Sequence, residues 1–266
     1  MSTILFTGAT DGIGLETAKA LAAAGHDLIL HGRSAAKLDA AQAAVSASAS
    51  TDSQISTAQA DLSDLEQVSA MATDLLDRHE RLDVVVNNAG IFETPNVETA
   101  DGLDVRFVVN TMAPYLLCRM LLPAVPTAGR FVNLSSAAQA PVDLTAMTGS
   151  PRLSPFDAYA QSKLALTMWN AHLAAANPEG PVFIAVNPGS YLGTKMVKEG
   201  FGMEGNDVGI GVDILVRAAT SEEFASASGR YWDNDSRRFA PPHPNATDPA
   251  KNAALVSVLD DFLGLS

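Results

Sequence analysis

A tyrosine and a lysine four residues apart, Tyr159 and Lys163 in Tyr159-Ala160-Gln161-Ser162-Lys163, are the pair in this sequence best suited to moving a proton. The apolar run after them, Leu164 to Trp169, contains no Gly or Pro and predicts a helix. Residues four apart share a helix face, so the phenol and the ammonium stand side by side. Free tyrosine titrates near about 10, too weak an acid for neutral pH. An adjacent positive charge favours the phenolate, which predicts a lowered pKa and a general acid/base working near about pH 7. The same spacing also describes an amphipathic helix whose Tyr and Lys face water. Upstream stands the pair Ser135-Ser136, whose hydroxyls can donate a hydrogen bond or cap the turn after their strand, and spacing alone does not separate the two.

The elements that must position these groups alternate along the chain. Short apolar strands are read at Thr3–Phe6, Leu28–Leu30, Ile55–Ala60, Leu82–Val86, Arg130–Leu134 and Val182–Val186. Helical patterns separate them: Leu15 to Gly25, 35 to about 47 with Ser34 as N-cap, about 65 to 79, Leu103 to Leu122, and the Tyr159 helix to about 176. Near-continuous apolar strands alternating with helices predict an α/β fold, a doubly wound parallel sheet covered on both faces. No repeat or linker interrupts the pattern, so residues 1–266 read as a single domain. The Ser/Ala stretch 46–53 reads as a mobile connection, and the tail from about 231 to 266 as irregular with a last helix near 250–263.

The turn after the first strand carries Gly8, Gly12 and Gly14, placing backbone N–H groups and a helix N-terminus where a pyrophosphate can approach. A tight strand–helix turn would also need small residues. After the second strand comes Gly32-Arg33 with no carboxylate. An acid there serves the ribose hydroxyls of NAD, whereas an arginine accommodates a 2′-phosphate, so NADP(H) is preferred over NAD(H). A solvated surface arginine is the plain alternative.

Composition narrows the function classes. The 266 residues carry 17 Lys plus Arg against 30 Asp plus Glu, a formal charge of −13, which disfavours nucleic acid as a partner. The single cysteine, Cys118, excludes an internal disulfide framework and fits a cytoplasmic setting. The five histidines show no metal-ligand spacing, so no metal is expected. No signal peptide and no membrane span are read, because no apolar run reaches about eighteen residues.

TGATDGIG (7–14), DLSD (61–64), NNAG (87–90), Asn110, Ser135-Ser136, YAQSK (159–163) and Asn187-Pro188-Gly189 stand in the order of the short-chain dehydrogenase/reductase family, which the chain resembles over about residues 1 to 200. AYAQSKLAL and VNTMAPYLLCRMLLP (109–123) look closest to its retinol dehydrogenase and protochlorophyllide reductase branch. The resemblance implies a Rossmann fold and an NADP(H)-dependent oxidoreductase of the alcohol dehydrogenase or carbonyl reductase type. The substrate would be a small or medium apolar carbonyl or alcohol. It assigns Tyr159 to proton transfer and Lys163 to lowering its pKa and holding the nicotinamide ribose. Ser136 would polarise the carbonyl, and Asn110 would hold a water that links Lys163 to solvent. Gly8, Thr10, Asp11, Gly12, Ile13, Gly14 and Arg33 would belong to the cofactor-binding site. Asp61 and Leu62 would flank the adenine, and Asn87, Ala89 and Gly90 the ribose and pyrophosphate region. Pro188, Gly189 and Thr194 would close over the nicotinamide. The helices near Leu103 and Tyr159 commonly build the family's four-helix interface, so a homodimer or homotetramer is expected. Two other readings stay open: a catalytically silent dinucleotide sensor or scaffold, and reduction of a C=C bond.

Three further features matter. Ser136 and Tyr159 are 23 residues apart, about ten more than the family's usual spacing, and the extra segment (Met147, Pro151, Leu153, Pro155, Phe156) predicts a rim of the substrate mouth. A glycine-rich segment at about 190–212, with Met196, Phe201 and Met203, predicts a substrate lid, and a disordered connection would look the same in sequence. Pro114 lies four residues after Asn110 and has no N–H for the Asn110 carbonyl, which predicts a kink that leaves this carbonyl to a water in the proton path, or a kink that serves packing alone.

Overall fold

Strand side chains alternate in direction, and here both directions are buried. Ile4 and Phe6 join an apolar layer with Leu28, Leu30, Val84, Val86 and Val132. Leu5, Ile29, Val85, Phe131 and Phe183 join a second layer on the opposite face. The computed structural model describes residues 1–265, and of Phe201 only the backbone. In chain order the elements are β1 (Thr3–Phe6), α1 (Gly12–Ala23), β2 (Asp27–Gly32), α2 (Ala35–Ser46), β3 (Ile55–Gln59), α3 (Leu65–Arg78) and β4 (Val84–Asn87). They continue with α4 (Val105–Phe107), α5 (Ala113–Leu121), β5 (Arg130–Leu134), α6 (Leu144–Met147), α7 (Pro155–Ala176), β6 (Val182–Asn187) and α8 (Lys195–Phe201). Last come α9 (Val208–Thr220), β7 (Tyr231–Asp233), β8 (Arg238–Ala240) and α10 (Pro249–Leu263).

The sheet order is β3-β2-β1-β4-β5-β6-β7-β8, with β8 antiparallel to β7 and the other pairs parallel. The strand order reverses between β1 and β4, and in open α/β sheets the crevice at such a switch point binds the ligand. This is the expected doubly wound Rossmann-like α/β fold.

Four expectations change. The long helix through Asn110 is not uniform: Val108–Met112 is π-helical between α4 and α5, with Ala113 N donating to the Val108 carbonyl. Pro114 follows at the second position of α5 and supplies no N–H to the Asn110 carbonyl. Restoring that N–H with Pro114→Ala should draw the turn toward α-helix and slow turnover several-fold, with a displaced pH–rate profile. Unchanged turnover and profile would leave the kink a packing feature.

The stretch 46–53 is tied down, with Ser50 N and Ser53 Oγ both donating to the Ala22 carbonyl, at 3.1 and 3.2 Å. Residues 190–212 are not one loop. They hold α8, capped by Thr194, and the start of α9; the side chain of Phe201 lies outside the described residues. The tail carries β7, β8 and α10, because Trp232, Phe224 and Phe239 pack on one another at ring separations of 4.9 to 5.2 Å.

Residues 105–124 also form a helical stretch of 20 residues with mean hydropathy 1.3, long enough by composition to cross a bilayer. It serves as a core helix, 78% of it buried. α10 packs on α7 and reaches α5, where Asp260 accepts from the Tyr115 hydroxyl at 2.6 Å and from Arg119 at 2.5 Å. α10 thereby touches both of the helices expected to join two copies.

Candidate active site

Tyr159 lies one turn into α7. Ser154 fixes the start of that helix, its Oγ accepting from Asp157 N at 3.2 Å, and Pro155 takes the first helical position. The phenol hydroxyl hydrogen-bonds the Ser136 side chain. Ser136 is half-buried, and its Oγ accepts from Ala138 N at 3.1 Å. Ser135 turns inward, its Oγ 2.7 Å from Thr167 Oγ1 and donating to the Lys163 carbonyl at 3.3 Å. The geometry thus separates the two serines: Ser136 faces the phenol and Ser135 braces α7 against β5. The Ser136 carbonyl is held from behind by the Tyr231 hydroxyl at 3.1 Å and Gln139 Nε2 at 2.9 Å.

Lys163 is buried and donates from Nζ to the Leu134 carbonyl at 2.8 Å. Its ammonium lies 5.8 Å from the centroid of the Tyr159 ring, and burial lowers its pKa to about 8. Burial also raises the Tyr159 pKa above its usual value, with the Ser136 hydrogen bond opposing. This corrects the expected lowering. The ammonium is aimed at a carbonyl and at the ring face, so desolvation of the phenolate outweighs its attraction. At neutral pH the phenol is protonated and can donate.

Asn110 sits in the π turn. Its Nδ2 donates to the Ile91 carbonyl at 2.9 Å and Ser162 Oγ at 3.0 Å, and its Oδ1 accepts from Ile91 N at 2.8 Å. The side chain is engaged in pinning the segment after β4. A water-holding role would therefore fall to its main-chain carbonyl. Gly90 runs between Asn110 and Lys163; a β carbon there would stand 3.3 Å from both Asn110 Oδ1 and Lys163 Nζ.

The glycine turn lies at the switch point. Gly8 has φ +68°, Gly12 φ +52°, and a β carbon on Gly14 would sit 2.1 Å from the Gly8 carbonyl oxygen. Thr10, Asp11 and Ile13 complete the turn into α1, with Asp11 capping the helix by accepting from Gly12 N at 2.8 Å. Asp11 thereby shapes the turn, and its carboxylate would repel a phosphate. Thr194 faces this turn from α8, its methyl carbon 3.6 Å from where a Gly12 β carbon would be, so the N-termini of α1 and α8 converge. The tail holds Pro188, whose carbonyl accepts from Asn234 Nδ2 at 2.9 Å, and the end of β6 holds Gly189, whose N donates to Asn187 Oδ1 at 3.2 Å. Arg33 is exposed and joins none of the ion pairs among the described residues.

Three residues expected beside the cofactor have side chains engaged within the protein. The Leu62 side chain belongs to the core, leaving only its backbone for an adenine. Asp61 Oδ1 accepts from Ser63 N and Oγ at 2.9 and 2.7 Å. Asn87 points inward and donates to Asn133 Oδ1 at 2.8 Å. Ala89 stays at the turn through its backbone, donating to Thr7 Oγ1 at 3.1 Å.

Sequence reading missed the residues that hold the site. Asn88 Nδ2 donates to the Thr7 and Gly8 carbonyls at 2.8 and 3.2 Å, clamping β4 to the glycine turn. Asp235 takes Ser190 N and Oγ at 2.8 and 2.6 Å. Asn88 stood inside a quoted motif, but Asp235 offered no signal beyond a polar cluster.

A family model described as short chain dehydrogenase matches residues 2–204. Retinol dehydrogenase 13 of Homo sapiens is 29% identical over 266 residues, covering 92% of this chain and 80% of that protein. A crystal structure of an uncharacterised protein from Mycobacterium Paratuberculosis superposes with TM-score 0.80 at 26% identity, over 99% of this chain and 94% of the other. A short chain dehydrogenase from Burkholderia cenocepacia, solved in complex with NADP, matches with TM-score 0.70 at 26% identity, over 86% of this chain and 94% of the other.

Proposed function

This chain belongs to the short-chain dehydrogenase family of oxidoreductases, and on that premise we propose that it transfers hydride between NADP(H) and the carbonyl or alcohol of a small or medium apolar substrate. The observation that carries the reading is the Tyr159 hydroxyl bonded to Ser136 at the C-terminal edge of the sheet, with Lys163 buried beside it. When bound, the nicotinamide supplies or accepts the hydride.

The chain's own residues manage one proton and orient the reactants. Tyr159 donates its proton to the carbonyl oxygen during reduction and takes one from the alcohol during oxidation. The Ser136 hydroxyl donates to the same oxygen, so charge developing there meets two donors already in place. Lys163, a buried cation beside the phenol, stabilises the phenolate left after donation and would hold the nicotinamide ribose. The glycine turn and the start of α1 fit the pyrophosphate, because Gly14 leaves no room for a side chain and the first-turn N–H groups have no helical acceptor. Phe92 against the Tyr159 ring at 5.1 Å, with Phe156 at 6.5 Å from Phe92, gives the substrate an apolar wall. The name of the human relative puts apolar alcohols such as retinol among the first substrates to try.

Oxidation of NADPH against a panel of ketones and aldehydes tests the reading. Tight NADPH binding with no turnover on any of them would favour the silent sensor instead. Arg33 carries the coenzyme choice, since its exposed guanidinium suits a 2′-phosphate. Arg33→Ala should raise the KM for NADPH about 10- to 100-fold, the value of a charge-assisted contact, while leaving the KM for NADH within about twofold. Equal losses for both coenzymes would remove the phosphate contact from the account.

A further inference from the structure

We propose that His31 is a positioning residue for the dinucleotide site, its neutral imidazole setting the pose of the Gly8–Gly14 turn and through it the affinity for the cofactor. The inference rests on the reading of that turn as the pyrophosphate site.

His31 stands near the end of β2, with 3% of its surface exposed. Its Nδ1 lies 3.2 Å from Gly8 N, and its Nε2 lies 3.1 Å from the Ala60 carbonyl oxygen. A carbonyl only accepts, so Nε2 carries the proton and Nδ1 presents a lone pair to the Gly8 N–H. The main chain adds a third tie, Ala9 N donating to the His31 carbonyl at 3.0 Å. One residue thereby joins the turn after β1 to the residue just past β3. Burial lowers the imidazole pKa to about 4, which keeps the lone pair available at working pH.

The contact bears on cofactor binding through a short mechanical chain. Gly8 is boxed in on its other side, where a β carbon would stand 2.9 Å from Ala89 Cα and 3.0 Å from Asn88 Nδ2. Its carbonyl oxygen lies against Gly14, where a β carbon would come within 2.1 Å. Any shift of Gly8 is therefore passed to the first turn of α1, whose N–H groups without a helical acceptor would hold the pyrophosphate. His31 fixes Gly8 from the β2 side, as Asn88 fixes it from the β4 side. The imidazole also takes up the Gly8 N–H itself, so this donor serves the turn's shape and the N–H groups further on serve the ligand.

NADPH affinity of the wild-type chain and two variants, by fluorescence titration with thermal melts alongside, tests the inference. His31→Phe keeps the ring but removes both nitrogens, and the Kd for NADPH should rise about tenfold or more, the loss falling on KM rather than kcat. His31→Asn places an oxygen near the Nδ1 position, within reach of the Gly8 N–H but too short for Ala60, and its Kd should stay within about threefold of wild type. A folded His31→Phe protein with wild-type Kd overturns the proposal. Should that variant fail to fold, a folded His31→Asn protein that binds about tenfold more weakly overturns it equally, because keeping the Gly8 contact would then not keep the affinity. Wild-type protein that binds neither NADPH nor NADH would instead reject the site itself.

Discussion

Tyr159→Phe is expected to lower kcat about 10²- to 10⁴-fold for both reduction and oxidation, the usual contribution of a positioned proton donor. The substitution removes one oxygen and keeps the ring, so the contact with Phe92 at 5.1 Å remains and the fold loses nothing large. NADPH affinity should change by less than about threefold, because the groups that hold the pyrophosphate are untouched. The direction of the pH dependence follows from burial. The phenol is held above its ordinary value, so at pH 7 it is nearly all protonated and reduction proceeds on a plateau. Oxidation needs the phenolate, so its rate should climb with pH through the alkaline range, while Lys163, lowered to about 8, loses charge over the same interval and blunts the climb. In Tyr159→Phe that alkaline rise should be missing. Full turnover in a folded variant, or a rise that survives the substitution, would remove the phenol from the proton path.

Much of this was legible in the sequence because the signals are local. Alternating apolar strands gave the sheet, and a four-residue interval put Tyr159 and Lys163 on one helix. Where the reading failed, the determinants lie in packing between distant segments. Lys163 was expected to act on the phenol oxygen, but the Leu134 carbonyl, 29 residues away, draws its Nζ aside, and burial reverses the sign of the Tyr159 shift. The motifs around Leu62 and Asn87 do not say which way a side chain points, because its direction depends on which layer its strand end meets, and both turn into the core. The tail read as irregular because its strands are only three residues long, too short for a period-two pattern to register. His31 drew notice only as a histidine without metal-ligand spacing. Its partners, Gly8 and Ala60, are 23 and 29 residues away and carry no side chain that could mark the pairing.

Gly14→Ala is expected to abolish cofactor binding even though Gly14 lies within a helix. There alanine is ordinarily the better residue, by about 1 kcal/mol. Against that stands a β carbon 2.1 Å from the Gly8 carbonyl oxygen, 2.7 Å from Asn88 Nδ2 and 3.0 Å from the Gly8 carbonyl carbon. No side-chain rotation relieves contacts with backbone, so either the turn or the start of α1 must move. Moving the Gly8 carbonyl breaks the Asn88 clamp, 3.2 Å from Nδ2, and disturbs the Gly8 N–H bond to His31. Overpacking of this kind costs about 3 kcal/mol, which lowers Tm by about 5 °C in a chain of this size. The displaced helix start should weaken NADPH binding more than about 100-fold. Gly12→Ala separates crowding from loss of glycine freedom. At φ +52° its β carbon meets nothing closer than the Thr194 methyl at 3.6 Å, so it should cost only about 1 kcal/mol of backbone strain and bind NADPH several-fold more weakly. Parallel melts and titrations of the two variants decide the matter. Similar small losses in both would mean that the close approach of α1 to Gly8 is not what shapes the cofactor cradle.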